Sequence, residues 1–114
     1  MARSLKIRWW DRLPFLYWRV VQEVESADEI PAKLPRNGAV VVSAGKMPKW
    51  IAFDCPCHRG HRILLNLDTA RYPYWRIRRA KRDRLTISPS IDSIEAGKRC
   101  HYFIGDWKIS WAND

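Results

Sequence analysis

The chain has 114 residues, a formal net charge of +9 and 46% apolar residues, including seven tryptophans. That length fits one domain, and the apolar content argues against a disordered chain. No apolar run reaches the roughly 18 residues of a membrane span, no signal-peptide core is visible, and three cysteines exclude a fully paired disulfide framework. We therefore expect a cytoplasmic protein with reduced cysteines and no membrane partner.

Segments rich in strand-forming residues follow one another along the chain, separated by turn signals. The predicted strands cover residues 17–24, 39–43, 50–54, 62–67, 74–77, 85–87, 101–104 and 107–111. Pro89-Ser90 interrupts the pattern after the sixth strand, and Gly105-Asp106 predicts a tight hairpin between the last two. This spacing predicts a mainly β fold, a small barrel or sandwich with little helix. Residues 28–114 would form the β domain, with residues 1–27 as an extension packed on or flanking it.

Most of the positive charge lies in two groups. One is Arg71, Arg76, Arg78, Arg79, Lys81, Arg82 and Arg84, and the other is Arg3, Lys6, Arg8, Arg12 and Arg19, interleaved with aromatic residues. Cations among aromatics can bind a single nucleic-acid strand by phosphate contact and stacking. The alternative is a solvated surface whose long side chains lie over the aromatic rings.

The densest group of potential metal ligands is Cys55, Cys57, His58 and His61, with Cys100 far along the chain. Thiolates and imidazoles are the usual ligands of structural zinc, so these residue types predict a zinc site that staples a small β domain. The two neighbouring cysteines are separated by one residue, whereas zinc ribbons commonly have two. A redox pair of Cys55 and Cys57, or a buried Cys100 with solvated histidines, are the alternatives.

His101 is a candidate for acid–base chemistry. Because successive strand residues face opposite sides, His101 would point away from a metal that Cys100 faces. Ser88, Ser90 and Ser93 precede it, and Ser90 follows Pro89 where the chain would leave a strand. Serines are common in turns, so spacing alone does not establish a nucleophile.

Four stretches, read in order, resemble one bacterial family. They are residues 50–57 (WIAFDCPC), 63–67 (ILLNL), 85–91 (LTISPSI) and 100–104 (CHYFI). Together they resemble the BubE family, small metal-binding proteins of bacterial ubiquitination-like operons, over about residues 28–111. The resemblance implies a serine-type, deubiquitinase-like peptidase. It would cleave after the C-terminus of a ubiquitin-like modifier, in a precursor or in conjugates.

The resemblance also implies roles for individual residues. Ser90 would be the nucleophile, and His101 its general base and then its acid. The ligands of a structural zinc would be Cys55, Cys57 and Cys100, with His61 favoured over His58 as the fourth. The acid that orients His101 stays open between Asp92 and Asp106.

Two other functions compete with the peptidase. One is a zinc-stapled module that binds nucleic acid through the arginine-rich segment and the tryptophans. The other is a non-enzymatic adaptor in a modifier pathway. A zinc-catalysed protease is disfavoured, because four protein ligands leave no open position for water.

Overall fold

The computed structural model describes residues 6–7, 17–57, 61–95 and 97–112, with the side chain of residue 95 left out. It contains eight strands: β1 (Arg19–Val24), β2 (Gly38–Ala44), β3 (Met47–Asp54), β4 (Arg62–Asn66), β5 (Arg76–Arg79), β6 (Leu85–Glu95), β7 (Lys98–Gly105) and β8 (Lys108–Trp111). The only helical pieces in these ranges are single 3₁₀ turns at Ala27–Glu29 and Lys81–Asp83. The prediction of a mainly β fold is confirmed.

The strands form two four-stranded sheets in sequence order, β1-β2-β3-β4 and β5-β6-β7-β8. Every pair is antiparallel except β1 and β2, which run parallel. Parallel neighbours need a long crossover, and residues 25–37 supply it. β1 lies within the segment predicted as an N-terminal extension.

One hydrophobic core joins the two sheets. It combines first-sheet residues with second-sheet residues, among them Val41, Ile51, Phe53, Leu85, Ile91 and Tyr102, all at most 1% exposed. The opposite face of the first sheet is also covered, since Val40 and Val42 pack with Ile30 and Leu34 of the crossover. Residues 39–42 are therefore buried on both faces, which explains why they form a continuous apolar run instead of alternating.

The prediction that Pro89-Ser90 ends a strand is wrong. β6 continues from Leu85 to Glu95, and its register against β7 shifts between Ile87 and Ile91. Such a bulge leaves its extra residues out of the hydrogen-bonding ladder, so the missing N–H of a proline costs nothing there. Ser90 thus lies in a bulge within a strand and not in a loop.

The turn of the last hairpin lies one residue further along the chain than the predicted Gly105-Asp106. Gly105 pairs with Lys108, and Asp106 and Trp107 between them both have positive φ. Two consecutive residues with positive φ form the turn type whose backbone twist matches the twist of the two strands it connects. Among the described residues, no helix is both long and apolar enough to cross a bilayer.

Candidate functional site

Ser90 and His101 are brought together by the pairing of β6 with β7. His101 lies opposite Asp92 in this pairing, and Ser90 comes just before, in the bulge. The Ser90 hydroxyl is 2.9 Å from Nε2 of His101, a hydrogen-bond distance, and both residues are half-buried. A serine hydroxyl bonded to an imidazole nitrogen is the arrangement in which the imidazole can take the hydroxyl proton.

Trp75 anchors the backbone of Ser90. Its indole Nε1 donates a 3.1 Å hydrogen bond to the Ser90 carbonyl, from the segment that joins the two sheets. The other two candidate serines are elsewhere. Ser88 is exposed and paired with Arg76, while Ser93 points to the core side and its hydroxyl is 3.3 Å from Nε2 of His61.

The two candidate orienting acids have different surroundings. Asp92 is the cross-strand neighbour of His101, but its carboxylate accepts hydrogen bonds of 2.8 and 2.6 Å from the Arg99 guanidinium. Those bonds hold the pKa of Asp92 below its usual range, with a smaller contribution from His101. Asp106 lies in the β7–β8 turn and pairs with Arg78. Asp92 is therefore the acid adjacent to His101.

A cysteine–histidine group lies between the sheets, on the opposite side of β7 from His101. The potential ligand atoms of Cys55, Cys57 and His61 are all within 4.8 Å of one another. The backbone closes this loop, since the Cys55 N–H donates to the His61 carbonyl at 3.0 Å. His58, the alternative ligand, lies outside the described residues.

Cys100 approaches this group from the second sheet. It is 5% exposed and its thiol interacts with those of Cys57 and Cys55, but it lies outside the set of ligand atoms that are all within 4.8 Å of one another. Burial, with the neighbouring thiols, raises the pKa of Cys100 to about 12, and burial also raises the pKa of Cys55. All three cysteines are free of disulfides.

The donor set fits a zinc-type metal on two further observations. Nδ1 of His61 is buried and has no hydrogen-bond partner among the described residues, while its Nε2 is held by Ser93. A ligating histidine usually makes a hydrogen bond through one ring nitrogen and binds the ion through the other. The sulfur atoms of Cys55 and Cys57 lie 3.1 Å apart, so both thiols face the same small space beside His61.

The arginine-rich segment is partly internal. Arg79 pairs with Glu23 and Asp83, and the Arg84 guanidinium lies 4.9 Å from the Tyr17 ring centre and 4.7 Å from that of Trp107. In the N-terminal group, Arg19 is buried and donates to the Arg36 carbonyl. The expectation that long basic side chains lie over aromatic rings holds for Arg84 and for Arg19, whose guanidinium lies 5.8 Å from the Tyr17 ring centre.

Sequence reasoning missed Trp75, and it considered Ser93 only as a nucleophile. No short-range signal marks either role, because Trp75 reaches Ser90 from 15 positions away and Ser93 reaches His61 from 32. A cleft of about 610 Å³, lined among others by Trp18, Cys55 and Trp111, includes neither Ser90 nor His101. The Ser90–His101 pair therefore lies outside this cleft.

Comparison with known proteins gives one match. The family described as "Bacterial ubiquitination-like system serine protease (BubE)" matches residues 26–112, about three quarters of the chain. No curated protein and no solved structure matches. The chain belongs to the BubE family and is a serine protease of a bacterial ubiquitination-like system.

Proposed function

We propose that this member of the BubE family cleaves after the C-terminal residue of a ubiquitin-like modifier, using Ser90 as nucleophile and His101 as general base and acid. The bond attacked would link the modifier to a precursor extension or to a conjugated protein. The system to which the family belongs implies ubiquitin-like partner proteins. The cytoplasm is the proposed compartment, since reduced thiols are needed for the metal site described below.

The observation that carries the proposal is the 2.9 Å contact between the Ser90 hydroxyl and Nε2 of His101. Hydrogen-bond reach between nucleophile and base is the first geometric requirement of serine catalysis. Ser90 is the serine bonded to Nε2 of His101, whereas the Ser93 hydroxyl is bonded to His61. Ser90 is also held at its backbone by Trp75, which limits its freedom before substrate binds.

The reaction follows from that contact. As the Ser90 oxygen attacks the substrate carbonyl carbon, Nε2 of His101 takes the hydroxyl proton. His101 then gives this proton to the leaving nitrogen as the scissile bond breaks, which leaves the modifier esterified to Ser90. Water attacks the ester, His101 takes a proton from it, and the Ser90 oxygen leaves and regains a proton. Asp92, ionised beside His101, stabilises the transient imidazolium charge.

We propose that Cys55, Cys57, His61 and Cys100 hold a structural zinc ion. Bound zinc would supply the positive charge that keeps three neighbouring thiolates together. Four protein ligands complete a tetrahedral set and leave no position for a catalytic water. Cys100 adjoins His101 on β7, so fixing Cys100 also fixes the strand that carries the base. The metal thus contributes to orientation and not to a chemical step.

Substitution of the pair tests the protease mechanism. Ser90→Ala and His101→Ala should each lower the rate of cleavage of a modifier–reporter fusion by at least about a thousandfold. Melting temperature and zinc content should stay at wild-type values. Ser43→Ala, on the first sheet, is the matched control and should cleave normally. Cleavage by Ser90→Ala at the wild-type rate would eliminate Ser90 as the nucleophile.

A further inference from the structure

The face of the second sheet that is turned away from the core carries more than the Ser90–His101 pair. Inward positions are taken by buried or partly buried residues: Ile77, Ile87, Ile91, Tyr102 and Ile104. Because strand residues alternate between faces, Arg76 and Arg78 of β5 and Phe103 of β7 lie on the outer face with Ser90 and His101. We call these five residues the outer-face group.

The outer-face group extends across the three neighbouring strands β5, β6 and β7. Arg76 lies opposite Ser88, two residues before Ser90. Phe103 lies opposite the bulge that contains Ser90, and its ring centre is 6.0 Å from that of His101. Phe103 is nevertheless 45% exposed. An accessible aromatic ring therefore borders the Ser90–His101 pair, and a line of cations, first Arg76 and then Arg78 opposite Thr86, leads away from Ser90 along β5.

The charged groups of Arg76 and Arg78 remain accessible to a partner. The Arg78 side chain is 73% exposed, and its 3.4 Å ion pair with the equally exposed Asp106 is of a kind that contributes little. The Arg76 guanidinium lies over the Tyr74 ring, and it forms no ion pair within the described part of the chain. Arg79, on the same strand, is instead held by two carboxylates. Arg76 and Arg78 are thus the strand's accessible cations.

We propose that the outer-face group is the surface on which the protein substrate docks. The substrate presents acidic side chains to Arg76 and Arg78, and its extended C-terminal tail crosses Phe103 to reach Ser90. This inference rests on the proposed function. The position of the Ser90–His101 pair on a sheet face, away from the 610 Å³ cleft, suits a macromolecular substrate. The net charge of +9 gives an acidic partner long-range attraction as well.

The test compares charge reversal on this face with the same charge change elsewhere. Arg76→Glu/Arg78→Glu should lower kcat/KM for a modifier–reporter fusion about tenfold, mainly through KM. Lys33→Glu/Lys46→Glu, at exposed positions of the crossover and the β2–β3 turn, should leave it within about twofold. From about 0.01 to 0.15 M salt, wild-type KM should rise more steeply than that of the arginine variant. Equal KM values in the two charge variants would overturn the proposal.

A small phosphonylating probe separates this inference from the proposed function. A fluorophosphonate labels a reactive serine without needing a docking surface, so the ratio of fusion cleavage to labelling rate measures docking alone. That ratio should fall about tenfold in the arginine variant and also in Phe103→Ala. If the arginine variant misfolds, Arg76→Gln/Arg78→Gln is measured in the same way, and an unchanged ratio contradicts docking. Failure to label Ser90 in the wild type would instead contradict the protease mechanism.

Discussion

Trp75 contacts the backbone of Ser90 from outside β6. A bulge removes residues from the strand ladder, and the Ser90 carbonyl accepts a hydrogen bond from the Trp75 indole at 3.1 Å. The Trp75 N–H is in turn bonded to the Asn66 carbonyl at the end of β4. Trp75 is therefore a positioning residue, which ties the bulge of the second sheet to the edge of the first.

Trp75→Phe removes the indole donor while it keeps an aromatic ring in the core. A neutral hydrogen bond contributes about 1 kcal/mol, so kcat and the fluorophosphonate labelling rate of Ser90 should each fall about fivefold, with KM little changed. Trp50→Phe, a partly buried tryptophan on the other side of the first sheet, is the control. Equal labelling rates for Trp75→Phe and wild type would show that the bond only stabilises the fold.

At the scale of elements, the connection from β4 to β5 is organised by one side chain. Nδ2 of Asn66 donates to the carbonyls of Asp68, Arg71 and Pro73 at 3.1, 3.1 and 3.0 Å. Its Oδ1 accepts from the Asp68 N–H at 2.9 Å. This side chain supplies hydrogen bonds to a segment that crosses between the sheets and has no strand partner of its own in the ranges that the structure describes. It thereby holds the segment that carries Trp75 beside Ser90.

Asn66→Asp keeps the shape of the side chain but replaces its donor with a carboxylate that faces three carbonyls. We expect a loss of about 2 kcal/mol in the free energy of unfolding, measured by urea denaturation, because three carbonyls lose their donor and face a carboxylate instead. Ser90 labelling should slow as well, since Trp75 loses its support. Thr69→Ala, exposed in the same connection, should match wild type in both measurements. A wild-type urea midpoint for Asn66→Asp would mean that the connection is held by other contacts.

The elements also show what sequence patterns can and cannot predict. Strands such as β2 are predictable because an apolar run followed by a glycine turn has few other structures. The bulge of β6 cannot be predicted in this way, because Pro89 is compatible both with the end of a strand and with a shift of register inside one. The parallel pairing of β1 with β2 depends on a crossover whose path no local pattern specifies. Ser90 and His101 were identified by resemblance, whereas the contact of Trp75 depends on the three-dimensional fold.

At the scale of the whole molecule, the proposed metal-ligating group is the polar link between the two sheets. Cys55, Cys57 and His61 belong to the β3–β4 connection of the first sheet, and Cys100 belongs to β7 of the second. A domain of 114 residues buries only about two-thirds of its surface, so a cross-link between sheets contributes strongly. Tyr102, whose hydroxyl is 3.7 Å from the Cys55 sulfur, packs beside this link.

Zinc removal should therefore act on the fold before it acts on catalysis. A strong chelator should release about one zinc per chain and lower the melting temperature by at least about 5 °C, the shift that about 1 kcal/mol produces in a domain of this size. His61→Ala should melt at the lower temperature with or without chelator. His58→Ala should behave like wild type, and the reverse result would make His58 the fourth ligand.

The same titration separates structural from catalytic zinc. Well below the lowered melting temperature, we expect the metal-free chain to remain folded, with Ser90 and His101 still within hydrogen-bond distance of each other. Fluorophosphonate labelling of Ser90 at that temperature should retain a substantial part of its rate, because no step of the proposed reaction uses the metal. Cleavage and labelling should then disappear together as the chain unfolds. If cleavage stops on chelation while the circular dichroism spectrum and the labelling rate are unchanged, the metal takes part in the chemistry, and the structural role assigned to Cys55, Cys57, His61 and Cys100 is wrong.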